Sequence, residues 1–315
     1  MASAVFHIKD SYYFEIPGSL TADVKTMDDV PGWLVQQHPD AALSDFQHEL
    51  DGKILIPQPF GTPGALYPGG GHDTGFCISK FMILQLLIAI ALVALFARMA
   101  KRMRSGEPVS GRLHNFLEAT LVYIRDEVAR PAIGHHHADR FVPLLWTTFF
   151  FILSCNLMGL VPFMGTPTSA WGTTFALAMV ILSTGLLAGM RELGVVGYFK
   201  NYVLQIDMPG WMLPLKLVIM LVIFVIEIAS NLIRHVVLSI RLLANMVAGH
   251  LVLLGILGMA VTASESGSGS WPVAAGISVV GSILFSCLEL FVSFLQAYVF
   301  TFLSALFIGS AVHEH

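Results

Sequence analysis

Charge is scarce in this sequence and cysteine scarcer still, and each shortage removes a class of protein. Asp, Glu, Lys and Arg make up only 12% of 315 residues, against 55% hydrophobic, and mean hydropathy is +0.73. Soluble globular domains carry about 25% charged residues, so this balance belongs to a membrane protein. The net charge of −4 offers nothing to a nucleic-acid backbone. The three cysteines, Cys77, Cys155 and Cys287, sit far apart with no CxxC pair. That argues against a disulfide framework or a zinc site and predicts buried free thiols. There is no GxxxxGK[ST] loop, so a P-loop for nucleotide phosphates is absent. No basic segment followed by an apolar run opens the chain, which argues against a cleaved signal peptide, and the acidity argues against a transit peptide.

What is present divides at about residue 75. Residues 1–75 are polar, and up to Cys77 they hold ten acidic residues and three lysines. Pro/Gly punctuation ("IPQPFGTPGALYPGGGHD") predicts little regular structure beyond short strands or helices, and Gly69–Gly71 mark the entry to the first apolar run. Residues 76–315 read as a membrane domain. A first span covers Cys77 to Arg98, and Arg98, Lys101, Arg102, Arg104 and Arg112 follow it. By the positive-inside tendency that end is cytoplasmic and the acidic N-terminus is outside. Leu113, Phe116, Leu117, Leu121 and Ile124 recur at helical spacing, which predicts an amphipathic helix along the inner interface, ended by Pro131 and Gly134. His135–His137 read as a solvated loop, because a contiguous triple does not converge on one metal ion. Further spans run over Phe141–Phe163 and Trp171–Met190, with a basic inner loop ("RELGVVGYFKNY") after the second. In Trp171–Met190, Gly172, Ala176, Ala178, Ser183, Gly185, Ala188 and Gly189 suggest close helix packing.

Two very long apolar stretches close the chain, Met212 to about Val261 and Trp271 to about Ala311. Between them "TASESGSGSW" carries Glu265 and no basic residue, which predicts an outer linker. At about 1.5 Å per residue neither stretch fits upright in about 30 Å of hydrocarbon. They must tilt strongly or break. The predicted fold is therefore an all-α polytopic membrane protein: five membrane helices, one interfacial helix, and a very long, tilted final pair.

The polar residues inside that pair carry the functional signal, because a charge at mid-bilayer costs roughly 2.5–3.5 kcal/mol even on lenient scales. At about 100° per residue, Glu227, Arg234, Arg241, Asn245 and Ala248 form one stripe. His250 points roughly the opposite way. On the last helix Glu289, Ser293 and Gln296 share a face. Nine residues separate Arg241 from His250 and seven separate Gln296 from Glu289. Antiparallel helices would therefore set Gln296 level with Arg241 and Glu289 level with His250. A His and a Glu within reach make a proton-exchanging pair. Arg241 cannot be deprotonated. It needs an anion, and Glu227 is about 21 Å away along the helix. The missing carboxylate then comes from another chain.

Here the residues resemble a known family. "SIRLLANMVAGHL" (Ser239–Leu251), "NLMGLVPF" (Asn156–Phe163), Glu227 and "LELFVSFLQAYVFTFL" (Leu288–Leu303) look like the signatures of subunit a of F-type ATP synthases, over roughly Phe76 to the C-terminus. The resemblance implies the ion-conducting stator subunit of a rotary ATP synthase, with no catalytic site and no cofactor of its own. It would pack against a c-subunit ring through the Arg241 face, meet peripheral-stalk b subunits, and lie in a bacterial inner membrane. Arg241 matches the arginine that faces the rotor carboxylates, and Asn245 and Gln296 match polar residues near it. His250 and Glu289 match the two titratable positions of the outer half-channel. Some bacterial members place an acid on the first helix and His on the second, so this chain holds the exchanged arrangement. In "NLMGLVPF" some relatives have an acid where Gly159 stands, and no polar role is carried to that position. Glu227 and Arg234 would lie near the inner path, and Ser293 on the Glu289 face. A secondary transporter with a buried Arg/His/Glu site is the alternative. Such folds show internal repeats and paired broken helices, and no repeat is evident.

Overall fold

In hydrocarbon every backbone polar group must be satisfied within the protein, which leaves helices and closed barrels as spanning structures. This chain uses helices. The computed structural model describes residues 10–16, 26–27, 30–37, 42–68, 73–104, 111–161, 164–201, 213–265 and 271–312. The Gly69–Gly71 run, Phe163 and the middle of the 262–271 linker lie outside the described residues. Among those described, five helices are long and apolar enough to cross a membrane. They are α3 (Lys80–Arg104), α6 (His135–Gly159), α7 (Trp171–Asn201), α8 (Leu213–Glu265) and α9 (Trp271–Val312). They follow β1 (Tyr13–Glu15), α1 (Gly32–Gln37), α2 (Leu43–Leu50), β2 (Lys53–Leu55), β3 (Gly61–Thr62) and β4 (Thr74–Gly75); α4 (Arg112–Tyr123) and α5 (Arg130–Ile133) lie between α3 and α6. The fold is an all-α polytopic membrane protein, as the composition and apolar runs indicate.

The chain forms two compact units, Met1–Ala94 with Ser154–Ala170 and Met246–Phe291, and Leu95–Leu153 with Trp171–Asn245 and Val292–His315. In the first, the N-terminal segment is more ordered than its composition suggests. Strand β1 pairs antiparallel with β2, and β3 with β4. Tyr13, Val30, Leu34, Phe46, Leu50 and Leu66 close a small apolar core. These residues are scattered among polar neighbours, so no window of sequence displays them. The segment is tied to the start of α3 by backbone polarity. Ser11 O accepts from Lys80 N at 2.8 Å, and Asp10 Oδ1 accepts from Phe81 N at 3.0 Å. Gln58 exchanges two bonds with the backbone of Ile78, at 2.8 and 2.7 Å. Helix N-termini present unsatisfied N–H groups, and the N-terminal segment supplies their acceptors.

In the second unit, α4 runs through a π-helical stretch, Ile124–Ala129, into α5. Leu117, Ile124 and Val128 are buried, while Leu113 and Phe116 are exposed. Pro131 does not end this segment; it sits in the first turn of α5, where its missing N–H costs no intrahelical bond. The reversal comes at Gly134, φ 88°. His135–His137 form the first turn of α6 and not a loop. The helical hydrogen-bond ladder of the apolar run extends back over them, and His137 Nδ1 lies 3.7 Å from Glu192 Oε1. The segment after Met190 is also helical, with α7 kinked at Gly194 (φ 71°). Of the small residues in α7, Ala178, Gly185, Ala188 and Gly189 are buried, whereas Gly172, Ala176 and Ser183 are exposed.

Helices α8 and α9 are each unbroken, 53 and 42 residues long. At about 1.5 Å per residue they measure about 80 and 63 Å. Only 6% of the most apolar stretch of α8 is buried, against 56% for α6. Of the cysteines only Cys155 is buried; Cys77 is half-buried and Cys287 exposed. A thiol on a lipid-facing surface needs no burial in protein to leave water.

Burial raises the Asp10 carboxyl above its ordinary range, against bonds that lower it. The folded chain therefore binds a proton there more readily than the unfolded one, and this contribution to stability falls as pH rises through the raised value. Asp10→Ala is expected to weaken the junction with α3 by about 1 kcal/mol, seen as faster amide exchange at Phe81. Asp10→Asn, which keeps an acceptor without the charge, is expected to hold the junction at least as well at neutral pH.

Candidate functional site

A histidine in an apolar helix can present only what its neighbours permit, so the surroundings of His250 define its chemistry. In the first unit its Nδ1 lies 3.3 Å from Glu289 Oε1. Its Nε2 is 2.7 Å from Thr166 Oγ1. The α8 and α9 segments of this unit run antiparallel: His250 meets Glu289, and Ile256, farther along α8, accepts from Ser278 Oγ, earlier on α9. Glu289 is 4% exposed and Thr166 fully buried. Gly249 makes the approach possible, because a Cβ there would stand 2.9 Å from Glu289 Oε1.

Thr166 was not singled out by its sequence. It lies in the short "MGTPTSAW" connection, where no periodicity distinguishes a site residue from a turn residue. The structure fixes it firmly. Gly165, with φ 77°, turns the chain just before it. Its carbonyl accepts from Ser169 N at 2.9 Å and Ser169 Oγ at 2.7 Å. Two residues on, Thr168 Oγ1 donates to Asn156 Oδ1 at 2.8 Å, which pins the loop to α6. A Cβ at Gly159 would collide with Thr166 Oγ1.

The second unit holds the arginine. Asn245 Nδ2 donates to Gln296 Oε1 at 2.7 Å. Gln296 therefore reaches Asn245, one turn from Arg241, through an amide pair with a donor facing an acceptor. Among the described residues Gln296 Nε2 finds no acceptor. Ser293, Gln296 and Thr301 are all buried on α9, so the face seen in the sequence is an inward one. Ser239 Oγ donates to Thr174 Oγ1 at 3.1 Å, and the His235 ring lies 4.7 Å from that of Phe307. Both contacts hold α8 against its neighbours on the side away from Arg241.

Arg241 is exposed. Among the described residues it has no carboxylate within ion-pair distance and no hydrogen-bond partner. Its stripe is open throughout: Arg234 and Ala248 are exposed, Glu227 and Asn245 half-buried. Glu227 and Arg234 lie 14 and 7 residues before Arg241 on the same helix, and the structure brings neither to it. The arrangement can do two separate things. Thr166, His250 and Glu289 can hold and exchange a proton, and Arg241 offers a fixed cation to an anion from elsewhere.

Comparison with known proteins gives one family. Residues 82–309 match the ATP synthase A chain family. The chain is 33% identical over 321 residues to ATP synthase subunit a of an Anaeromyxobacter species, covering 100% of this chain and 71% of that protein. It is 32% identical over 312 residues to ATP synthase subunit a of Myxococcus xanthus, covering 97% and 92%. To ATP synthase subunit a of a Methylobacterium species it is 34% identical over 230 residues, covering 73% and 86%.

The close approach at Gly249 gives a direct expectation. Gly249→Ala should push the Glu289 carboxylate back and lengthen its 3.3 Å separation from His250, while the flexible end of Glu289 absorbs the clash and the fold survives. A density map of the variant checks both. An unchanged separation would mean that the glycine is not what admits the carboxylate.

Proposed function

From the premise that the chain belongs to the ATP synthase subunit a family, and is a membrane stator subunit of a rotary ATP synthase without a catalytic site of its own, we propose that it carries protons along two offset half-channels that meet at Arg241. The observation that carries this reading is an arginine in a lipid-length helix, exposed and without a partner among the described residues. A rotor carboxylate in lipid must be neutral, because a bare charge there is too costly. Beside Arg241 it can ionise: two unit charges about 4 Å apart attract by about 4 kcal/mol at an effective dielectric of about 20.

The outer path delivers protons through His250 and Glu289. The pair is supported by its 3.3 Å separation, and imidazole titrates near neutral pH. A delivered proton neutralises the rotor carboxylate, which then enters the lipid. After nearly a full turn the carboxylate releases the proton to an inner path near Glu227 and Arg234. Ser293 and Asn245 support the wall between the helices. Arg241 separates the two paths, since a fixed cation between them repels a proton crossing directly. The driving force is about 2.3 kcal/mol per charge per 100 mV.

The same reading sets the surroundings. Residues 1–75 form a polar domain outside the membrane and residues 76–315 the membrane domain. The N-terminus faces outward and the C-terminus the cytoplasm of a bacterial inner membrane. The poorly buried apolar surface of α8 faces a c-subunit ring along the Arg241 stripe, and b subunits of the peripheral stalk hold the stator.

Arg241→Ala is expected to abolish proton-driven ATP synthesis in inverted vesicles while ATP hydrolysis by the detached catalytic head continues. Retained synthesis would sink the proposal. The double variant His250→Glu, Glu289→His is expected to recover more activity than either single change, because the two groups act on each other. Additive losses would argue against direct coupling.

A further inference from the structure

An imidazole that gains and loses a proton changes the hydrogen bonds its nitrogens can make. A neutral ring has one donor and one acceptor, and a protonated ring has two donors. A carbonyl partner suits only a nitrogen that carries hydrogen, and an amide N–H suits only a bare one. A hydroxyl suits both, because it donates and accepts. His250 has such a partner on the nitrogen away from Glu289: Thr166 Oγ1, 2.7 Å from Nε2. We propose that Thr166 is a positioning residue for proton uptake, holding the His250 ring with Nδ1 toward Glu289 in both of its protonation states. This rests on the half-channel reading of His250 and Glu289 and names a residue that reading lacks.

Three features support the assignment. Thr166 is fully buried, so its hydroxyl is committed to protein and not to bulk water. The loop that presents it is fixed just after Thr166, by the Ser169 bonds to its carbonyl and by Thr168 on Asn156. The space it fills exists because position 159 is glycine, where any Cβ would fall on the Thr166 hydroxyl. Gly159 belongs to "NLMGLVPF", so that signature stretch and His250 are linked through one side chain. Glu289 from α9 and the Thr166 hydroxyl from the loop both face His250. With the hydroxyl removed, Nε2 loses its 2.7 Å partner, and the 3.3 Å approach of Nδ1 to Glu289 loses that brace.

The test uses the complete ATP synthase in inverted vesicles with Thr166→Val, Thr166→Ser and Gly159→Ala. Valine keeps the shape and removes the hydroxyl; serine keeps the hydroxyl and removes a methyl. Thr166→Val is expected to lower proton-driven ATP synthesis about tenfold, the order of one lost hydrogen bond to a group that becomes charged, and to shift the pH profile of synthesis on the uptake side. Thr166→Ser should stay within about twofold with the wild-type profile. Gly159→Ala, which leaves the hydroxyl in the chain but displaces it, should follow valine. If valine lowers the amount of assembled complex, Gly159→Ala and Thr166→Ser carry the comparison, normalised to subunit content. Wild-type synthesis and profile in Thr166→Val would overturn the proposal, as would a serine variant as slow as valine. His250→Ala and Glu289→Ala, measured alongside, separate the two levels. If both retain synthesis, the half-channel reading fails; if both lose it while Thr166→Val does not, only the role of Thr166 fails.

Discussion

A guanidinium cannot shed its charge, and lipid cannot solvate it. Arg241 turns that conflict into the organising constraint of the chain. It stands exposed on a 53-residue helix with no anion in reach among the described residues, so the chain is energetically incomplete as a single molecule. On the proposed reading, its counter-charge arrives with a partner and leaves again. A permanent ion pair within the chain would have been cheaper to bury, but it could not exchange partners.

The other polar groups are arranged so that Arg241 stays alone. Asn245 is engaged by Gln296 and Glu289 is set against His250. Glu227, the one acid on the arginine stripe, lies 14 residues from Arg241 on the same unbroken helix. Two helices of such length make this separation possible, since turns of a continuous helix cannot fold back on one another.

The N-terminal unit shows the opposite economy. Its apolar core holds six buried residues, small for a free-standing domain, and its backbone is spliced into the first turn of α3 through Ser11, Asp10 and Gln58. The membrane helix end and the polar segment satisfy one another's donors and acceptors. That explains how a segment rich in Pro, Gly and acid keeps a defined fold.

The sequence by itself determined the number and type of membrane helices, the two very long final elements, and the opposite directions of Arg241 and His250. These follow from apolar run length and a 3.6-residue period, which are local quantities. It also paired His250 with Glu289, because an antiparallel register follows from spacing. The Asn245–Gln296 amide pair, the helical His135–His137, the ordered N-terminal core and the seating of Thr166 were decided only by tertiary structure. Each depends on which groups from distant segments meet, at a precision of one turn or one methyl. Thr166 is the clearest case: nothing in "GTPTS" marks it, and its place beside His250 exists because Gly159, on another helix, left room for it.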